Sequence, residues 1–95
     1  MKSFINDLDT LFDRTIYGTE YSIEAGEIFS YTIDNRKSEG YEFLSLLTVN
    51  AQNKNVMIWR WFLSSSGGVT IDFYNKANYT TTGTLYISMD WRKIL

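Results

Sequence analysis

The sequence predicts an α+β fold: an N-terminal amphipathic helix packed on a curved antiparallel sheet of about five strands. Three observations carry that reading. Apolar residues recur at three- and four-residue spacing at the start of the chain, then alternate singly from about residue 27 onward. The segments between the alternating runs are turn-forming and too short to hold a helix. With 95 residues the chain is read as a single domain, 1–95.

The helix is expected over 3–17. Phe4, Ile5, Leu8, Leu11, Phe12 and Ile16 form one apolar stripe, while Asp7, Asp9, Asp13 and Arg14 fall mainly on the other side. Ser3 suits an N-cap, and Gly18 stands where a left-handed C-terminal residue is wanted. Residues 19–26 fit a loop, a short strand built on Tyr21 and Ile23, or a short helix carrying Glu20, Glu24 and Glu27.

Strands follow at 27–34, 41–50, 56–63, 69–76 and 84–91. The first puts Phe29, Tyr31 and Ile33 on one face. The second puts Tyr41, Phe43, Leu47 and Val49 on one face and Leu44 and Leu46 on the other. The third, VMIWRWFL, is apolar on both. The fourth alternates Val69, Ile71 and Phe73 against Thr70, Asp72 and Tyr74, and the fifth Leu85, Ile87, Met89 and Trp91 against Thr84, Tyr86, Ser88 and Asp90. The separators NRKSEG, AQNKN, SSSGG and NKANYTTTG make consecutive strands antiparallel neighbours, a meander.

One helix cannot cover five such strands. Either the sheet curls strongly around it, as in cystatin-like folds, or the outer face pairs with another protomer. Large exposed apolar patches mark interaction sites, so a homo-oligomer is expected, a dimer first.

Composition excludes several classes. The chain has no Cys and no His, which removes disulfides, thiolate metal sites and the commonest general base. A net charge of −2 argues against bulk nucleic-acid binding. The charge is divided: residues 1–48 hold nine of the eleven acidic side chains, and residues 49–95 hold five of the nine basic ones. The N-terminal MKSFINDLDT lacks the apolar run of a secretory signal, and no apolar stretch approaches a membrane span, so a cytoplasmic location without membrane contact is expected.

Little here supports catalysis. Glu20, Glu24 and Glu27 match no dedicated cation cage and read as a solvated acidic face. SSSGG and TTTG lack the Lys of a phosphate loop and read as hairpin turns; NYT at Asn78 matches a glycosylation sequon only formally. The chain is expected to be no enzyme and to carry no cofactor or metal.

The sharper feature is aromatic residues beside basic ones, at Trp59, Arg60 and Trp61 and again at Trp91, Arg92 and Lys93. Simple alternation places Trp59 and Trp61 on one strand face, with Arg60 opposite beside Ile58 and Phe62. Trp and Arg are enriched at protein–protein hot spots, and seven Tyr add amphipathic contact area. The leading expectation is therefore a non-catalytic protein-binding module. Size and composition resemble those of small phage- or mobile-element-encoded inhibitors, anti-CRISPR-like proteins among them, that act by steric occlusion of a host protein. A nucleotide-messenger or single-stranded nucleic-acid binder on the aromatic and basic face is the alternative. A small virion subunit or a toxin-immunity protein is a further one.

Overall fold

Strand patterning reaches back to the start of the described chain. The computed structural model describes residues 11–94, and these form β1 (Phe12–Ile23), β2 (Ile28–Ile33), a single 3-10 turn (Lys37–Glu39), β3 (Tyr41–Ala51), β4 (Val56–Leu63), β5 (Val69–Asn75) and β6 (Thr81–Lys93). They build two three-stranded antiparallel sheets, ordered β1-β6-β3 and β2-β5-β4. The α+β expectation is thereby overturned in favour of a nearly all-β fold.

The helix expected over 3–17 gives way to β1 from Phe12 onward; its portion at 3–10 lies outside the described residues. Pairing explains the change. β1 runs against β6 without interruption from Phe12↔Arg92 to Ile23↔Thr81, a long ladder that outweighs a locally helical stripe. The side chains then alternate, with Thr15, Tyr17, Tyr21 and Ile23 inward and Arg14, Ile16 and Glu20 outward. Gly18 caps nothing. It lies within β1, where a Cβ would meet the Tyr86 ring at 3.4 Å. Of the readings open for 19–26, the strand on Tyr21 and Ile23 holds, as the buried end of β1.

The five expected strands are present at nearly the expected positions, but their single-sheet meander is not. Only β4 and β5 are consecutive neighbours. The connection through 34–40 carries the chain from one sheet to the other, and so do those after β1, β3 and β5. Apolar residues on both sides of a predicted sheet are thus satisfied by closing two sheets on each other.

The core lies between the two central strands. Leu85, Ile87, Met89 and Trp91 of β6 face Val69, Ile71 and Phe73 of β5, all of them fully buried. Tyr21, Ile23, Ile33 and Val56 close the cluster from the flanking strands. At one end Asn75 is buried and saturated: its Nδ2 donates to the Ile23 and Tyr79 carbonyls at 2.8 and 2.9 Å, and its Oδ1 accepts from Ala77 N and Thr81 Oγ1. This side chain ties the β5–β6 connection to the end of β1.

Candidate functional site

β4 is the most apolar strand and an edge strand, and every residue after Val56 is exposed. Its regular alternation breaks in the middle. Ile58 pairs with Phe73 and Arg60 with Asp72, so Trp59 is an extra, bulged residue with no partner on β5. The bulge separates the two tryptophans that simple alternation placed together. Trp61 stands opposite the core residue Ile71 and faces inward. Arg60 and Phe62 stand opposite Asp72 and Thr70, on the outer face of the sheet.

Arg60 is the centre of that outer face. Its Nε donates to Asp72 Oδ2 at 2.7 Å, and its guanidinium lies 4.7 Å from the Trp59 ring centre and 5.4 Å from that of Phe62. Ser30 of β2 donates to the other carboxylate oxygen of Asp72 at 2.5 Å. These bonds, from Arg60 first and Ser30 second, hold the Asp72 carboxyl below its ordinary value against the opposing effect of burial. The result is a fixed ridge, Trp59–Arg60–Phe62, in which Trp59 is 56% exposed.

Trp61 belongs to a different cluster. Its ring centre is 5.8 Å from that of Phe43 on β3, which stands edge-on to Trp91 at 6.3 Å. The edge strand β3 carries two bulges, and they turn Leu46 inward and leave Leu44 and Leu47 exposed as the extra residues. The open side of the sandwich between β3 and β4 is therefore apolar. It ends in a cleft of about 210 Å³ floored by Tyr41, Phe43 and Leu63 and flanked by Lys37 and Glu42.

Trp91 is fully buried and its Nε1 has no hydrogen-bond partner among the described residues. Arg36 covers it, with the guanidinium 5.4 Å from the Trp91 ring centre and 4.5 Å from that of Tyr41. Arg36 donates to both oxygens of Glu39 at 3.1 Å and to Asp13 at 2.6 Å. Its pKa rises further, through Glu39 above all, while its bond lowers that of Asp13. Beside it, Tyr17 and Tyr31 line a cleft of about 510 Å³, and burial pushes the Tyr31 hydroxyl up.

Of the six residues singled out from the sequence, the structure joins Trp59 and Arg60 on one surface and places Trp61 on the adjoining inner edge. Trp91 lies in the core. Arg92 is exposed on the other sheet, where its Nε donates to Glu42 at 2.8 Å, and Lys93 is exposed next to it. Sequence reasoning missed Asp72 and Ser30, which lock Arg60, and Phe62 as its second stacking partner. Asp72, one of only two acidic residues in 49–95, was the one available signal. Glu20 lies on β1 and Glu24 and Glu27 in or beside the following turn, not on one helical face. Among the described residues no helix is long and apolar enough to cross a membrane. Compared with protein-family models, curated proteins and solved structures, the chain matches none.

Proposed function

We propose that this chain is a non-catalytic protein-binding module whose contact surface is the Trp59–Arg60–Phe62 ridge. The observation that carries the reading is the state of Arg60. Its charge is answered by Asp72 and its guanidinium is stacked on aromatic rings, beside the most exposed Trp that the structure offers. A side chain immobilised before binding loses little entropy on association, which suits a hot spot. A neutralised cation is poorly suited to gripping phosphate. Arg92 is likewise paired, with Glu42, and both pairings favour a protein partner over a nucleotide or a single strand.

In its most concrete form the module is an inhibitor of the phage or mobile-element kind, acting by covering a working surface of a host protein. The test is native mass spectrometry of the tagged chain and its Trp59→Ala variant, each isolated gently from cells that express it. A larger protein bound in fixed stoichiometry to the wild type, and weakened by about 2 kcal/mol or more in the variant, is the expected result. A partner retained equally by both, or no partner at all, defeats the reading.

A further inference from the structure

The outer face of β4 serves the proposed function; its edge is a separate feature. We infer that this edge pairs antiparallel with the same edge of a second copy of the chain, about a two-fold axis at Phe62. The inference rests on the protein-binding reading of β4 only in using the same strand, and it names one partner for it.

The phase of the backbone hydrogen bonds fixes which groups are free. In the β4–β5 hairpin Ser64 N donates to Gly68 O at 2.9 Å and Gly67, at φ 91°, forms the bulge that closes the turn. Counting back in the register 62↔70 and 60↔72, Phe62 and Arg60 direct their amides toward β5. Trp61 and Leu63 therefore direct theirs to the open edge, where β4 has no neighbouring strand among the described residues. A two-fold at Phe62 sets Trp61 against Leu63 of the second copy, in both directions, so that all these amides and carbonyls pair.

Side-chain chemistry selects the same axis. Centred on Arg60, the pairing would put two guanidinium groups face to face. Centred on Trp61, it would run into the bulge at Trp59. Centred on Phe62, it sets Phe62 against itself and Trp61 against Leu63, both apolar pairs, with Arg60 opposite the uncharged Ser64. The edge also lacks protection found elsewhere. β1 carries Asp13, Arg14 and Glu20, β2 is only six residues long, and β3 has two bulges; β4 has one, at Trp59, but it is regular from Arg60 to Leu63 and its lone charge is tied to Asp72.

Area supports a copy-sized contact. Apart from Trp59, which belongs to the outer ridge, Met57, Ile58, Trp61, Phe62 and Leu63 are 41–52% exposed, and at about 200 Å² each this comes to roughly 450 Å². That is over half of the ~800 Å² per partner of a stable interface, the backbone pairing along the edge adding to it. These residues lie on both faces of one strand. A strand added alongside brings side chains over both, whereas a partner packed on the sheet covers only one.

The wild-type mass in solution at micromolar concentration should be about 22 kDa, twice the 11.1 kDa chain. Phe62→Lys and Phe62→Glu should each weaken self-association about 100-fold or more, and mixing the two should restore the dimer as a heteropair. Phe62→Cys, in a chain without other cysteine, should give a disulfide-linked dimer under oxidised glutathione, because facing residues at such a position bring their Cβ atoms close enough for a disulfide. A Thr32→Cys control on β2 should not. A monomeric wild type, or a dimer indifferent to Phe62→Lys, overturns the inference. Trp59→Ala separates the two contacts: it should weaken capture of the other protein and leave the dimer intact.

Discussion

Arg60 Nε donates to Asp72 Oδ2 at 2.7 Å, joining a guanidinium that is 59% exposed to a carboxylate that is 4% exposed. Asp72 lies on the outer face of its sheet, yet Arg60 and its aromatic neighbours shield it from water. Replacing Asp72 by Asn keeps the shape and removes the charge, leaving Arg60 unanswered and Ser30 with a weaker acceptor. Because Arg60 is largely solvated, the expected cost is about 1–2 kcal/mol, less than for a fully buried pair. Urea unfolding of Asp72→Asn against the wild type measures it. An unchanged midpoint would mean that the ridge is not locked by this bond.

Acid should weaken the fold through two carboxyls. Asp72 is held below its ordinary value by Arg60 and Ser30, and Asp13 by Arg36 and Thr15. A carboxyl whose folded pKa is depressed contributes stability that is present above the unfolded value, about 3.9, and lost as pH falls through the folded one. The urea midpoint should therefore stay level from about pH 7 to about pH 5 and fall below about pH 4. In an Asp13→Asn, Asp72→Asn double variant that fall should be shallower. An equally steep fall would assign the acid sensitivity elsewhere.

The central strands and the short edge strand β2 were legible in the sequence, whereas the facing of β1, β3 and β4 was not. β5 and β6 are covered by neighbours on both sides, so their alternation survives intact, and the inward residues Ile71, Phe73, Ile87 and Met89 are those the pattern picks out. On β3 and β4 the extra residues Leu44, Leu47 and Trp59 shift the phase, and nothing local announces a bulge. β1 was misread for a related reason. Asp13 and Thr15 look out of place on an inward strand face until Arg36, brought in from a distant loop, bonds to them. That partnership is non-local, whereas a helical stripe is visible within a few residues. Trp59 and Arg60 stood out as a binding pair by composition alone; the residues that fix them are a strand away.

Asn75 should be among the least replaceable polar residues. It is fully buried, and its amide makes bonds to backbone on two sides that no apolar side chain can replace. Asn75→Ala is expected to cost about 2–4 kcal/mol, since buried carbonyls and an amide are left unmet as well as a bond lost. The exposed Asn78→Ala, as control, should stay within about 0.5 kcal/mol. Equal effects in chemical denaturation would show that the staple contributes nothing.

Trp59 and Trp91 should separate surface from core by experiment. Trp91 is fully buried against Phe43 and beneath Arg36, so Trp91→Ala opens a large cavity and should cost about 3–5 kcal/mol. Its Nε1 has no hydrogen-bond partner among the described residues, so Trp91→Phe removes a donor unmet there along with some packing and should cost distinctly less than the Ala change. Trp59 is the most exposed of the three and gives up chiefly its stacking on Arg60. Trp59→Ala should therefore change stability by about 1 kcal/mol or less. Acrylamide quenching reads the same division: the Trp59 variant should lose part of the accessible fluorescence, that of Trp61 remaining, and keep the shielded part from Trp91. A stability loss at Trp59 rivalling that at Trp91 would place Trp59 in the structural core and remove the physical basis for a contact ridge.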